Sequence, residues 1–596
     1  MSRSEASAIS TTYELSKPSD PLKEQASVLD ALRRLAPLMA DEKRSVWLAF
    51  AAVVITSATS LLGPVMIART VDVHIKNGDF NGVLRYAAIL LAIFVCNLFA
   101  GYFQTQRMGL VGRRVLFNLR NAIFIRLQQL PLLFFNQNKA GDLISRINND
   151  TDKLNQFFSQ ALVQFASNIF LMTGAAISLV VMNPKLGLAT LAPAAAVLLL
   201  TRLLSPWVRR RNVRSLQSLG GLSAEIQESL SNFRVIVAFN RIDYFRKKFE
   251  EANQQNLASS VSAGLASSIF MPVYTLAQSA AQITVLAYGV LLIGSGEASV
   301  GVLIGCLLYT NSFYMPLRHL AAIWASFQLS LAAIDRISEV LALESNMPVA
   351  PSGVVAPGPA LAFDGVSFAY PGGKRVLNDA TFNLEVGKTY ALVGPTGGGK
   401  TTAASLMARL YDPVEGRVLL DGRDIRSYSP EERTRKIGFI LQEPFLFTGT
   451  IRDNILYGNE QARAWSDEQL STMLARRNLD TLLSRFEMGL HTPVQSIGDG
   501  ISLGQKQIVA FMRAVLKEPE ILILDEATAN IDTVTERLLE DILRQLPAST
   551  TKVMIAHRLN TIANADEIFF INSGEIIPAG SMEHALHMLL HEKRES

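Results

Sequence analysis

The sequence predicts a chain in two parts, an α-helical membrane half of six spanning helices followed by an α/β domain built on a phosphate-binding loop. Three observations predict it. Six apolar stretches, each with the roughly 20 residues that cross a bilayer, fall in the first 330 positions. A segment rich in Pro and Gly follows, with Pro348, Pro351, Pro357 and Pro359. Beyond it the apolar runs shorten to about 4–8 residues between helical stretches, the pattern of an α/β domain.

Each part follows in chain order. Residues 1–25 are polar, read as a disordered tail, and carry no signal-peptide pattern of a charged start before an apolar core. Val28, Leu32, Leu35 and Met39 then recur at helical spacing, which predicts an amphipathic helix that Pro37 ends or kinks. Residues 26–344 form the membrane domain, with spans at about 45–71, 83–106, 158–182, 186–206, 265–293 and 299–328. Spacers between them alternate short and long. The long ones carry Arg107, Arg113, Arg114, Arg120 and Arg126, then Arg209, Arg210, Arg211, Arg214, Arg234 and Lys247. Positive charge marks the cytosolic side, so both termini are expected there. The long spacers keep a helical pattern, and 30 further residues of helix would project about 45 Å. Residues 345–360 are the linker and 361–590 the nucleotide-binding domain. The expectation is a multi-pass integral protein of the cell (inner) membrane with its nucleotide domain in the cytoplasm.

Composition narrows the classes. Only 18% of the 596 residues are charged, against about 25% in soluble domains. A net charge of +4 gives no footprint for nucleic acid. Cys96 and Cys306 both lie within apolar stretches, as buried thiols rather than a disulfide or metal pair.

The chemistry centres on Gly394-Pro395-Thr396-Gly397-Gly398-Gly399-Lys400-Thr401, which matches G-x-x-x-x-G-K-[ST] at each fixed position. An apolar, β-prone run precedes it, and Thr402 opens a helix-like one. Glycines let main-chain N–H groups turn toward phosphate oxygens, and the helix presents its positive end. Lys400 is placed for the terminal phosphates and the Thr401 hydroxyl for Mg²⁺. Downstream, Ile521 to Leu524 lead into Asp525 and Glu526. The first carboxylate suits Mg²⁺ and the second can polarise an attacking water. A third strand ends on His557, placed to contact a γ-phosphate. Gln442 ends a fourth, where its amide can sense Mg²⁺ or the water. Tyr370, before Pro371, offers a ring on which a base can stack.

With these residues in hand, the chain after about residue 40 resembles an ATP-binding cassette exporter half-transporter. The resemblance implies that Tyr370 stacks on adenine, Gly394 to Thr402 form the Walker A loop and Gln442 is the Q-loop glutamine. It makes Asp525 the Walker B aspartate, Glu526 the catalytic base, Ala529 to Asp532 the D-loop and His557 the switch histidine. Phe135, Gly141, Ser145 and Arg146 resemble the family's first cytoplasmic loop. Glu228 to Phe239 resemble the second, whose short coupling helix docks on the partner's nucleotide domain. The family's signature, Leu-Ser-Gly-Gly-Gln, stands here as Ile501-Ser502-Leu503-Gly504-Gln505, with Gln495-Ser496-Ile497 in place of the usual Gly-Glu-Arg. The signature closes over ATP held by the other subunit, so Ser502, Gly504 and Gln505 are expected at the partner's nucleotide. Leu503 would crowd it there.

These departures, beside an intact Glu526 and His557, point to a heterodimer with one consensus and one degenerate ATP site. A homodimer with two equal sites is the alternative, as is an importer with the same fold. A gated channel would need a selectivity filter or pore charges, which the sequence does not display. A soluble tethered ATPase does not need six spans. Substrate stays open among small molecules, lipids and peptides. Tyr309, Asn311, Tyr314, Arg318 and His319 make the polar cluster of the sixth span, placed to line a cavity or equally to pack between helices, with Arg318 near the cytosolic end.

Overall fold

The computed structural model describes residues 13–15, 42–345, 347–351, 358–495, 501–526, 532–555 and 564–580, with 583, 584 and 587. Contacts divide it into two compact units. One comprises Leu15–Gln129 and Asn138–Leu343. The other comprises the described residues from Glu344 onward, together with Leu130–Gln137, Tyr13 and Glu14.

Among the described residues of the first unit, six helices are long and apolar enough to cross a membrane: Lys43–Ile75, Phe80–Gln128, Ala140–Met182, Pro184–Ser231, Ile242–Gly294 and Val300–Leu320. All six expected spans lie within or along them. The helix Phe80–Gln129 has 50 residues, about 75 Å at 1.5 Å per residue, more than twice a hydrocarbon core of about 30 Å. The arginine-rich spacers are therefore continuations of spanning helices. The sixth helix likewise runs on from Val300 to Ala342.

Several polar groups within the spans are bonded internally, as a medium without water favours. Asn97 donates to the Thr56 carbonyl at 2.9 Å, to Thr59 at 2.7 Å and to Ser60 at 3.0 Å. Gln278 and Gln282 both donate to Asn311 Oδ1, at 2.7 and 3.1 Å. The Tyr314 hydroxyl donates to the Thr190 carbonyl at 2.9 Å and that of Tyr309 to the Leu61 carbonyl. Both tyrosines are buried, so they fix helix packing rather than line a cavity; of the predicted cluster, Asn311 is half-buried among amides. Cys306 is buried, Cys96 is exposed and both are free.

The second unit is layered. Its strands, numbered in chain order, form a four-stranded antiparallel sheet in the order β2 (Arg375–Leu384), β1 (Leu361–Ala369), β4 (Glu415–Leu420) and β5 (Arg423–Asp424). A six-stranded sheet runs β12 (Glu575–Pro578), β11 (Glu567–Asn572), β3 (Thr389–Val393), β10 (Thr551–Ile555), β9 (Ile521–Asp525) and β6 (Ile437–Ile440). All of its pairings are parallel except β11 with β12. A short ribbon pairs β7 (Gly449–Thr450) with β8 (Pro493–Val494). Parallel strands covered on both faces read as unbroken apolar runs, and all five residues of β9 are buried. One core, with Phe363, Leu377, Tyr390, Leu406 and Ile523, joins the two main sheets. A second, with Ile455, Leu474, Phe511 and Leu539, fills the helical part.

Two expectations change. The tail over 1–25 was read as disordered, yet Tyr13 is 2% exposed and Leu15 is buried. Their alternate spacing lets an extended segment bury both side chains despite polar surroundings. The rest of that tail and the helix at 28–39 lie outside the described residues. Leu130–Gln137, read as membrane domain, belongs by its contacts to the nucleotide-binding unit, where Leu133 packs on the sheet core. The linker is partly docked there too: Arg409 donates to the Pro348 carbonyl at 2.7 Å, and Ala350 N–H to Arg426 O at 2.8 Å.

Candidate functional site

Ligands of open α/β sheets bind beyond the carboxyl ends of the strands, and β3 and β9 both deliver site residues there. The loop Gly394–Gly399 leaves the end of β3 and enters the helix Lys400–Met407. Gly394 has φ 147° and lies so close to β11 that a Cβ would stand 2.0 Å from the Ile571 carbonyl oxygen. Only glycine fits. Gly399, at φ 114°, is the residue before the helix, whose first N–H groups are left for an anion.

Lys400 is buried and folds back on its own loop, donating to Gly394 O at 2.8 Å and Pro395 O at 2.9 Å. Burial pulls its pKa below the ordinary lysine value, against the opposing pull of Glu526 and Asp525. Thr401 Oγ1 donates to Asp525 Oδ1 at 3.4 Å. Asp525, the last residue of β9, is 2% exposed.

Glu526 follows with φ 49°, a left-handed conformation uncommon for a residue with a side chain. Gln442 lies two residues beyond β6, the neighbour of β9, and its Nε2 donates to Glu526 Oε2 at 2.8 Å. Thr401, Asp525, Glu526 and Gln442 are thus linked across three adjoining elements. Ile555, the last residue of β10, pairs with Asp525. His557, two positions on, lies outside the described residues, as do 529–531 of the expected D-loop. Asp532 caps the helix Thr533–Arg544, accepting from the N–H groups of Val534 and Thr535.

Tyr370, at the end of β1, is half-buried. Its hydroxyl pairs with Thr402 Oγ1 at 3.2 Å, and its ring stands edge-on to Tyr411 at 5.5 Å and to Phe368 at 5.0 Å. Sequence reading passed over Tyr411, which is an ordinary core aromatic by pattern. It also passed over Asn136, whose Nδ2 donates to the Tyr411 hydroxyl at 2.7 Å. No local signal links two residues so far apart.

The signature residues form a helix start. Ser502 caps the helix Leu503–Leu516 in a capping box: its Oγ accepts from Gln505 N at 3.2 Å, and Gln505 Oε1 accepts from Ser502 N at 2.9 Å. Gln505 Nε2 donates to Arg485 O at 2.8 Å, so this amide serves its own chain. Leu503 holds the first helical position and is 44% exposed, with Gly504 next to it. Among the described residues no hydrogen bond joins Ser502, Gly504 or Gln505 to the Gly394–Thr402 loop.

A phosphate loop at the end of a parallel strand, beside a buried Asp525 and a half-buried Glu526 and fused to six spans, defines a membrane-embedded nucleotide hydrolase. Residues 46–317 match the model of the ABC transporter transmembrane region, and residues 377–529 that of the ABC transporter. The chain is 33% identical over 563 residues to the uncharacterized ABC transporter ATP-binding protein YfiC of Bacillus subtilis, covering 93% of this chain and 92% of that one. It is 32% identical over 503 residues to a fatty acid ABC transporter ATP-binding/permease protein of Mycobacterium bovis, covering 84% and 79%. A multidrug resistance ABC transporter ATP-binding and permease protein of Lactococcus lactis is 30% identical over 493 residues, 83% of each chain. The chain belongs to the ABC transporter family. It is a multi-pass membrane protein with a fused nucleotide-binding domain, and it binds ATP and couples its hydrolysis to transport.

Proposed function

We propose that the chain is one half of an exporter for hydrophobic or amphipathic substrates and works as the hydrolytic partner in an asymmetric dimer. The observation that carries the asymmetry is Leu503: a large exposed side chain on the first residue of a helix whose start is to close over a partner's ATP. The names of the Mycobacterium bovis and Lactococcus lactis relatives, fatty acid and multidrug resistance, support the substrate class.

In this reading the N–H groups of Gly394–Gly399 and the Lys400–Met407 helix cradle the phosphates. Lys400 exchanges its two loop carbonyls for phosphate oxygens. The Thr401 hydroxyl and Asp525 carboxylate are hard oxygen donors 3.4 Å apart, a set that fits Mg²⁺, with Gln442 beside them. When bound, Mg²⁺ neutralises charge on the phosphates. Glu526 takes the proton of the attacking water, its carboxylate oriented by Gln442. His557 steadies the γ-phosphate, and Tyr370 stacks on the base. Ser502, Gly504 and Gln505 serve the partner's nucleotide. The six-residue helix Phe233–Ala238 exposes Phe233, Val235 and Val237, apolar side chains that a partner's nucleotide domain would cover on docking. A homodimer with equal sites is a second reading, favoured by the intact cap at Ser502.

The test is a tagged pull-down from native membranes, with stoichiometry by mass. A second half-transporter at one-to-one, with an unaltered signature and no Walker B glutamate, is the expected result. Recovery of this chain alone rejects the asymmetric reading.

A further inference from the structure

Tyr13 is held by contacts with residues far along the chain. Its N–H donates to Gln137 Oε1 at 2.7 Å, its hydroxyl donates to the Glu344 carbonyl at 2.9 Å, and its ring stands edge-on to Phe134 at 6.3 Å. Two residues on, Leu15 N–H donates to Asn138 Oδ1 at 3.0 Å. Alternate N–H groups of an extended segment thus meet successive side-chain amides. Tyr13 is 2% exposed, and Phe134 is fully buried.

What Tyr13 touches is the helix Leu132–Gln137, only six residues long. A helix this short does not hold itself together in water, so its placement depends on side-chain contacts. On one side these come from Tyr13. On another, Asn136 donates to the Tyr411 hydroxyl at 2.7 Å. The Tyr411 ring abuts Tyr370 edge-on at 5.5 Å, and the Tyr370 hydroxyl pairs with Thr402 at the phosphate loop. An unbroken series of contacts therefore runs from the N-terminal segment to the base-binding tyrosine, all within the nucleotide-binding unit.

We propose that Tyr13 is a positioning residue for nucleotide binding: it seats the Leu132–Gln137 helix so that Asn136 holds Tyr411, and Tyr411 holds the Tyr370 ring, in the orientation that receives the base. The proposal rests on Tyr370 stacking on the base. A loosened staple tilts Tyr370 and weakens the hold on ATP, while Glu526 and Gln442, on other elements, keep their geometry. The signature is a shift in KM without a matching shift in kcat.

The experiment measures ATP hydrolysis by the purified full-length transporter in liposomes. Tyr13→Ala, Tyr13→Phe and Asn136→Ala are each made alone and with Tyr370→Ala. Loss of one hydrogen bond or its support corresponds to a rise of about 2- to 10-fold in KM for ATP. Tyr13→Ala and Asn136→Ala should show it with kcat nearly unchanged, and Tyr13→Phe, which keeps the ring, a smaller one. None should add to the KM already raised by Tyr370→Ala. A wild-type KM in Tyr13→Ala, or the same proportional rise in both backgrounds, overturns the proposal alone. A wild-type KM in Tyr370→Ala overturns the stacking reading and the proposal with it. Should Tyr13→Ala fail to assemble, Tyr13→Phe and Asn136→Ala carry the same comparison.

Discussion

Gly394 and Gly397 both take positive φ, at 147° and 84°, yet their surroundings differ. A Cβ on Gly394 would stand 2.0 Å from Ile571 O, whereas one on Gly397 would meet nothing within 4 Å. Replacing either with alanine costs the left-handed backbone about 1–2 kcal/mol. At Gly394 there is an added overpacking cost of about 1–3 kcal/mol, because the obstacle is main chain of β11 and cannot rotate away. Each kcal/mol lowers the melting temperature of a domain this size by about 2–4 °C. Gly397→Ala should then melt about 2–8 °C below wild type, and Gly394→Ala should fall about 1.5 to 4 times as far as Gly397→Ala. The assay is calorimetry of the purified full-length protein without nucleotide. The relevant transition is the one that added ATP raises, since a ligand of the folded state stabilises its own domain. Equal falls, or a smaller one at Gly394, would refute the argument that contact with β11 fixes this residue as glycine.

Three further outcomes follow from the same geometry. Glu526→Gln should cut phosphate release by about 10²–10⁴-fold while equilibrium binding of ATP persists, the range for losing a general base; a loss of less than about tenfold rejects that role. Tyr370→Ala should raise KM for ATP by about 5- to 150-fold, the equivalent of one base–aromatic stack, and a change confined to kcat would contradict it. Burial alone would lift the Asp424 carboxyl, but the Arg426 guanidinium, 2.7 Å away, holds it below the ordinary aspartate value. A carboxyl depressed in the folded state stabilises it above the unfolded value of about pH 4 and loses that stabilisation as pH falls through the folded value. The melting advantage of wild type over Asp424→Asn should therefore shrink between about pH 5 and about pH 3, and a gap that holds or widens on acidification excludes the ion pair as its source.

What could be read in advance depended on whether the signal was local. Spans declare themselves by length and apolarity, and Pro348 to Pro359 by breaking both helix and strand. The phosphate loop is legible because its glycines, Lys400 and Thr401 are contiguous and the flanking runs switch from β3 to helix. The pairing of Asp525 with Thr401 spans 124 residues, but each partner had a motif of its own. Tyr411 and Asn136 had none: 275 residues separate them, and neither differs from a packing residue until the fold joins them. For Tyr309 and Tyr314 the sequence leaves cavity lining and helix packing open, and the fold decides for packing, because their hydroxyls are taken up by the Leu61 and Thr190 carbonyls. Tyr13 was hidden by its neighbours, since a polar tail averages away one aromatic whose burial depends on Phe134 and Gln137.

The signature helix shows why its departure costs nothing within one chain. The N-terminal N–H groups of a helix have no partners within it, and the capping box satisfies Gln505 N through Ser502 Oγ. The donors left for an anion are those of Leu503 and Gly504, and a leucine side chain removes neither. Its effect is steric. Leu503, 44% exposed, stands on the turn whose N–H groups, on the proposed reading, approach the partner's phosphate, where glycine would leave the approach open. The local fold is indifferent to the exchange, since cap and helix need only Ser502 and Gln505. A residue tolerated by its own domain yet in the way of a neighbour's nucleotide exerts its effect only when two nucleotide domains close. On the proposed reading, the two ATP sites differ because the chains that complete them differ, while the Gly394–Thr402 loop and Glu526 of this chain stay fit for hydrolysis.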